Sequence, residues 1–141
     1  MVKVHLNENK GRMKTMIFHV PIYEIEVMLV QIEDKSDADK LEKPCKWIKL
    51  NPDEYEELKE NVKRGCFNGG DTWRNLTIRK FMIDFLPFSS KGRKTEVYNH
   101  EKRHLEDRIL EHAGVNDIEA SALLAGFLGV KFDKFYKMTD K

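Results

Sequence analysis

The sequence contains few of the residues that cross-link small secreted proteins. It has two cysteines, Cys45 and Cys66, and four prolines in 141 residues. The cysteines form neither a Cys-x-x-Cys pair nor a disulfide framework, so we expect free thiols and a cytoplasmic location. Residues 1–12 are polar and have no apolar centre, and no secretion signal is therefore expected.

An excess of charge of either sign is also lacking, and so is a long hydrophobic run. Lys and Arg number 25 and Asp and Glu number 24, which gives a formal net charge of +1. This balance does not support a nucleic acid or a membrane surface as a partner. The most apolar stretch, residues 16–32, is interrupted by Pro21, Glu24 and Glu26, so no membrane span is expected.

The composition is that of one highly charged globular domain, with 40% hydrophobic and 35% charged residues. We expect the domain to cover residues 15–141, after a flexible tail of residues 1–14. Periodicity and turn residues predict strands at 16–20, 23–32, 45–50, 73–77 and 79–85, and helices at 52–64, 95–112 and 116–129. An alternative joins residues 76–85 into one longer strand. Residues 33–43 are predicted as a connector with one helical turn, and 130–136 as a short final element.

Two of these segments carry strong local signals. Tyr23, Ile25, Val27 and Leu29 alternate with more polar residues, which is typical of a half-buried strand. The 52–64 helix has cap residues at both ends: Asn51 and Pro52 before it and Gly65 after it. Together the elements predict an α+β fold, with a small twisted, mostly antiparallel sheet packed on the two C-terminal helices.

The chemistry concentrates in His100-Glu101-Lys102-Arg103-His104. Residues four apart lie above one another on a helix, so His100 and His104 can direct both imidazoles to one metal ion. Glu101 lies about 100° round the helix from His100, within reach of a water on that ion. Zinc used for hydrolysis keeps one open position for such a water, whose pKa it lowers to about 7. A charged surface helix can also carry these five residues with no metal.

The position of the histidines on the helix favours a metal site. Viewed down the helix axis, His104 falls about 40° and Glu101 about 100° from His100. The apolar stripe of Tyr98, Leu105 and Ile109 follows at about 140–180°. The predicted ligands therefore adjoin the core, where a metal would be partly shielded from water.

A zinc hydrolase site needs a third protein ligand. Glu119, in the first turn of the next helix, is the preferred candidate, because an antiparallel helix pair returns that turn alongside the motif helix. Asn116 and Glu119 also have the spacing of a capping box, which leaves a purely structural role open for Glu119. Asp107 is the rival ligand, and Asp117 is better explained as a helix cap.

These residues resemble a known family. His100-Glu101-x-x-His104 followed by Asp117-Ile118-Glu119-Ala120 is similar to the minimal gluzincin pattern of HExxH metallopeptidases. Small proteins of the ImmA/IrrE type, common on phages and integrated elements, are of this kind. The resemblance implies a zincin-like fold, zinc bound by His100, His104 and Glu119, Glu101 as general base, and a protein or peptide substrate.

The resemblance has one departure. The two positions between Glu101 and His104 are usually uncharged in active zincins, and here they are Lys102 and Arg103. Both fall off the ligand arc of the helix and need not block a metal. The two charged residues count against proteolysis more than against metal binding. The alternative to a zinc peptidase is therefore a non-catalytic interaction protein on a zincin-like scaffold, with or without bound metal.

Overall fold

The computed structural model describes residues 12–140. Most of the predicted tail, residues 1–14, lies outside this range. Its last residue, Lys14, opens the first strand and is the Cα partner of Gln31.

Four strands form one mixed sheet. They are β1 (Lys14–Val20), β2 (Ile25–Gln31), β3 (Gly70–Asn75) and β4 (Lys80–Phe85). The order across the sheet is β1-β2-β4-β3, with β2 and β4 parallel and the two outer pairs antiparallel. β3 is therefore an edge strand, and the predicted α+β class with a mostly antiparallel sheet is confirmed.

Helices cover both faces of this sheet. They are a 3₁₀ helix (Lys35–Lys40), α1 (Glu42–Ile48), α2 (Pro52–Lys63), α3 (Lys91–Ala113) and α4 (Ile118–Thr139). Alternation along each strand directs side chains to opposite faces, so the sheet has two separate cores. The sequence predicted only the layer formed by the two C-terminal helices.

The core beneath α3 and α4 is rich in aromatic residues. Its buried members are Phe18, Val20, Ile25, Val27, Leu29, Phe81, Ile83, Phe85, Tyr98, Leu105, Ile109, Leu124, Leu128, Phe132 and Phe135. The Phe85 and Tyr98 rings stack with centroids 4.0 Å apart, which joins β4 to α3. This contact fixes the position of α3 over the β4 side of the sheet.

The second core lies beneath the 3₁₀ helix, α1 and α2. Its buried members are Met28, Val30, Ile32, Ala38, Leu41, Cys45, Ile48, Leu58, Val62, Met82 and Leu86. Both cysteines are free, as expected, and burial raises the pKa of the Cys45 thiol to about 12. Cys45 is thus an inert packing residue rather than a nucleophile.

The positions of the two best-marked elements of the sequence are confirmed. In α2, Asn51 Oδ1 accepts a hydrogen bond from the Glu54 amide at 2.8 Å, and Pro52 is the first helical residue. Gly65 follows this helix with φ of 74°. Strand β2 lies within the alternating segment, but all of its residues except Glu26 are buried, so the prediction of a half-buried strand is wrong. Helices cover both faces of the sheet at this central strand.

Three predictions about elements are wrong. The strand expected at 45–50 is helix α1, whose Pro44, Cys45 and Ile48 are buried on one side. Residues 76–85 do not form one strand, because a turn at 76–79 with Arg79 at φ 54° separates β3 from β4. The last helix does not end at residue 129 but continues to Thr139. None of the helices among residues 12–140 combines the length and apolar character needed to cross a membrane.

Candidate metal centre

The helix that carries the histidines is anchored by caps at both ends. α3 begins at Lys91, one turn earlier than predicted, because the Ser90 hydroxyl accepts a hydrogen bond from the Arg93 amide at 3.1 Å. It ends at Gly114, whose φ of 69° suits a residue without a side chain. The motif residues therefore lie in the middle of a long helix, away from its fraying ends.

Glu101 lies in the buried stripe of α3. The buried residues of this helix are Lys94, Tyr98, Glu101, Leu105 and Ile109. They recur every three or four residues and face the sheet. A carboxylate at one of these positions is costly unless it has partners, so the groups around Glu101 matter.

Two imidazoles and one carboxylate converge at this point. The Glu101 Oε1 atom lies 3.9 Å from His104 Nδ1, and Oε2 lies 4.0 Å from His100 Nε2. The imidazole centroids are 4.2 Å apart. One donor atom from each of the three residues lies within 4.8 Å of the others, a spacing that could hold a metal ion. We call these three residues the His-Glu-His cluster.

The cluster is open on its histidine side and closed on its glutamate side. The side chains of His100 and His104 are 64% and 43% exposed, whereas that of Glu101 is 6% exposed. A molecule in solvent can therefore reach the imidazoles, and the carboxylate forms the floor of the site.

The edge strand β3 supplies the wall next to Glu101. The Thr72 hydroxyl donates a hydrogen bond to Glu101 Oε1 at 2.9 Å. Two residues earlier, a Cβ atom on Gly70 would meet Glu101 Cγ at 3.1 Å. The absence of a side chain at Gly70 lets the Glu101 stem pass close to the strand.

α4 packs on the flank of α3 that faces away from the cluster. Lys94 Nζ donates to the Tyr136 carbonyl at 3.1 Å, and the Ser121 hydroxyl donates to the Glu106 carboxylate at 3.3 Å. The start of α3 thus meets the end of α4, so the two helices are antiparallel, as predicted. On a helical wheel, the α3 residues that contact α4 lie roughly 150° from the centre of the cluster.

Glu119 lies on that far side. It is an exposed residue in the first turn of α4. The contacts between the two helices place His104 level with the region near Leu124. Glu119 precedes Leu124 in α4 and lies roughly 7 Å from that level along the α4 axis. Glu119 does not belong to the His-Glu-His cluster. Its assignment as the third ligand stays a prediction from the sequence pattern.

The other acidic candidates lie outside the cluster as well. Asp117 is the N-cap of α4, as expected, and its Oδ1 accepts from the Glu119 amide at 3.2 Å. Since the cap is not Asn116, the capping box suggested for Asn116 and Glu119 is wrong. Asp107 is exposed and is not a member of the cluster.

The two basic residues inside the motif lie off the ligand arc of the helix. Lys102 lines a cavity of about 430 Å³ between α3 and α4, together with Asn99 and Asp133. Arg103 is exposed to solvent.

A second polar group lies on the opposite face of the sheet. Asp84 is fully buried, its Oδ1 accepts from the Trp73 indole N–H, and Oδ2 has no hydrogen-bond partner among the described residues. Burial, followed by the charge of Asp71, raises the pKa of Asp84 well above its usual range. This group is separated from the cluster by the sheet.

The sequence did not identify Thr72 or Gly70 as parts of the site. Gly70 lies before the strand predicted at 73–77, whereas it is the first residue of β3. The signal that could have located them is strand parity, since Gly70 and Thr72 share a face. Their contact with Glu101 depends on how α3 crosses the edge strand, which no local pattern encodes.

The chain matches no family model, no curated protein and no solved structure.

Proposed function

We propose that this protein is a zinc-dependent hydrolase, with peptide-bond hydrolysis as its reaction. The observation that carries the proposal is the convergence of His100, Glu101 and His104 on one solvent-facing flank of a helix. Two imidazoles are donors that suit zinc, and a carboxylate beside them can reach a water on the ion, so the residues present fit this ion. We place the activity in the cytoplasm, on the basis of the free thiols.

In this proposal the three residues of the cluster have different roles. His100 and His104 bind the ion, and Glu119 stays the predicted third ligand. Glu101 acts as general base, taking a proton from a water and later passing it to the leaving amine. The zinc ion, when bound, supplies Lewis acidity by lowering the pKa of a water and polarising a carbonyl. The low exposure of Glu101 keeps its carboxylate directed towards the imidazoles rather than towards bulk water.

The surrounding fold is compatible with a zincin-like arrangement. Strand β4 leads through a short loop into α3, which is the order of strand and active helix that the gluzincin resemblance implies. The edge strand β3 runs beside the cluster, and no other described strand pairs with its outer edge. A strand edge of this kind can pair with an extended peptide, which favours a peptide substrate.

A second function has its own support. The position of Glu119 on the far flank of α3 leaves two histidines and the proposed base as the protein donors at the site. An interaction protein on the same scaffold, with or without metal, requires no third ligand and no catalytic water. Lys102 and Arg103 within the motif agree with this alternative.

Metal content tests the proposal. We expect purified wild-type protein to contain about one zinc per chain by elemental analysis, because His100 and His104 lie close enough to share a single ion. His100→Ala should lose it. His112→Ala is the matched control, since His112 is an exposed histidine of the same helix outside the cluster. A wild-type protein without bound zinc after exposure to zinc would contradict the hydrolase.

Glu119→Gln belongs in the same measurement. If Glu119 is the third ligand, as the sequence pattern predicts, this variant should bind zinc much more weakly than wild type. If the helix pair keeps its described packing when the ion binds, zinc binding should stay close to that of wild type, because Glu119 then lies outside the cluster. Loss of zinc in this variant, with retention in His112→Ala, would show that α4 supplies the third ligand after a rearrangement of the helix pair. A screen of a peptide library then separates a peptidase from an interaction protein.

A further inference from the structure

Thr72 has a contact that sets it apart from the other polar residues of β3. It is the hydrogen-bond donor to the Glu101 carboxylate within the described part of the chain, at 2.9 Å. The acceptor is Oε1, the oxygen that lies 3.9 Å from His104 Nδ1. The other oxygen, Oε2, lies 4.0 Å from His100 Nε2 and receives no hydrogen bond from these residues. The two oxygens of Glu101 are therefore not equivalent.

The path of the Glu101 side chain makes this contact specific. Glu101 Cγ passes next to Gly70, where an added Cβ would lie 3.1 Å away. Thr72 lies on the same face of β3 as Gly70, so the strand contacts both the stem and the head of the glutamate. With its stem held at Gly70 and Oε1 held at Thr72, the carboxylate has little freedom to turn.

We propose that Thr72 is a positioning residue for the metal site, holding Oε1 of Glu101 so that Oε2 is the oxygen that accepts the proton from water. This assignment rests on the proposed function. It adds a residue from the edge strand to a site whose other members all belong to α3. Thr72 acts through Glu101 and does not contact the metal or the substrate.

Co²⁺ affinity tests the assignment without an activity assay. A carboxylate held about 4 Å from the imidazole nitrogens favours a bound cation, and one that can rotate away favours it less. The measurement is competition for Co²⁺ with a chromophoric chelator, on the full chain. Wild type is compared with Thr72→Val, Thr72→Ser, Glu101→Gln and the double variant Thr72→Val with Glu101→Gln.

We expect Thr72→Val to weaken Co²⁺ binding about tenfold, as is common when a residue that orients a metal-site carboxylate is lost. Thr72→Ser keeps the hydroxyl and should restore the affinity. In the Glu101→Gln background, Thr72→Val should have no further effect, because the carboxylate that it holds is gone. Thr15→Val, the same change at an exposed position of β1, should leave binding at the wild-type level.

Two results overturn the assignment while leaving the hydrolase standing: Co²⁺ affinity unchanged in Thr72→Val, or reduced equally with and without the Glu101 carboxylate. If wild type binds neither Co²⁺ nor Zn²⁺, the proposed function and this assignment are both wrong. That outcome is distinguishable from the two results above, which overturn only the assignment. Thermal unfolding of each variant shows that it is folded. If Thr72→Val does not fold, Thr72→Ala replaces it in the same cycle with the same expectations.

Discussion

At the scale of single residues, the site depends on a charged side chain within an apolar stripe. Glu101 is the one carboxylate among the buried residues of α3, where its neighbours along the stripe are Tyr98 and Leu105. An unpaired carboxylate there would cost several kcal/mol. The Thr72 hydroxyl offsets part of that cost by donating a hydrogen bond to Oε1. The imidazole nitrogens lie 3.9 and 4.0 Å from the carboxylate, beyond hydrogen-bond distance, so the fold compensates only in part a charge that it has no structural need to bury. This partial compensation is the physical basis for assigning Glu101 a chemical role.

Glu101→Gln separates catalysis from binding. Glutamine keeps the size of the side chain and can still accept the Thr72 hydrogen bond, but it cannot accept a proton from water. We therefore expect the fold to persist and zinc to remain bound at micromolar protein concentration. Hydrolysis of any peptide substrate found in a library screen should fall at least about 100-fold, the lower range for a positioned general base.

The control for this variant is Glu111→Gln, an exposed glutamate of the same helix outside the cluster, which should keep full activity. Two results would contradict the assigned role. If hydrolysis persists in Glu101→Gln, another group is the base. If zinc is lost together with hydrolysis, Glu101 is itself a metal ligand.

At the scale of elements, the contact between α3 and β3 builds the site, and Gly70 tests it. A Cβ atom at Gly70 would lie 3.1 Å from Glu101 Cγ, 3.2 Å from the Asp84 carbonyl and 3.3 Å from the Phe85 ring. The carbonyl belongs to the paired strand and cannot move away easily. We expect Gly70→Ala to lower the free energy of unfolding by about 1–3 kcal/mol, the usual cost of overpacking, and to weaken metal binding. Urea unfolding and the Co²⁺ competition measure the two effects.

Gly126→Ala is the matched control for that substitution. Gly126 lies inside α4, and nothing is within 4 Å of the position that a Cβ would occupy. Alanine in a helix interior is favoured over glycine by about 1 kcal/mol, so this variant should be more stable than wild type and bind metal equally well. Equal stability of Gly70→Ala and wild type would show that β3 and α3 are not held as closely as described.

The elements also show which parts of the fold the sequence could predict. Helix α2 was predicted almost to the residue because its caps are local: the Asn51 side chain and Gly65 act within one turn of their own positions. Helix α1 was predicted as a strand because a short apolar run such as Cys45–Leu50 has no distinguishing period.

Helix α4 was predicted too short for a different reason. Gly129 suggested an end at that point, since glycine disfavours helix interiors. The buried stripe of Leu124, Leu128, Phe132, Phe135 and Thr139 continues through this region at helical spacing. Packing of the stripe against the aromatic core prevails over the local preference of glycine.

The candidate site was predicted in part. The helical wheel correctly placed His100 and His104 beside the buried stripe, because that relation depends only on α3 itself. The contributions of Thr72 and Gly70, and the flank on which α4 packs, depend on how α3 crosses the sheet. Such relations between distant segments leave no periodic signal in a single sequence.

At the scale of the whole molecule, the alternation of β3 divides the polar groups between two faces of the sheet. Thr72 faces α3 and the His-Glu-His cluster, whereas Asp71 and Trp73 face the other side together with Asp84. Asp84 therefore lies on the side of the second core and shares no hydrogen bond with the His-Glu-His cluster among the described residues, although the charge of Glu101 adds slightly to the rise in its pKa. Its role is a matter of stability.

The pH dependence of stability tests this buried carboxyl group. Burial and, to a smaller extent, Asp71 raise the pKa of Asp84 above its ordinary value of 3.8. The native state thus keeps a proton on Asp84 at pH values where the unfolded chain has lost it. Asp84 therefore contributes most to the free energy of unfolding at pH values below 3.8. This contribution is lost as the pH rises from 3.8 through the raised pKa.

Asp84→Asn removes that titration while its amide oxygen can still accept the Trp73 indole N–H. We expect the free energy of unfolding of this variant, measured by urea titration from about pH 4 to pH 8, to fall less with rising pH than that of wild type, because no charge then forms in the core. The free energy of unfolding of the variant, relative to that of wild type, should therefore exceed its acid-end value by the largest amount at the alkaline end of the range. Asp39→Asn, at an exposed position, should keep the wild-type dependence. Parallel curves for wild type and Asp84→Asn would mean that Asp84 titrates alike in the folded and unfolded chain, and the buried, unpaired Oδ2 would then need another explanation.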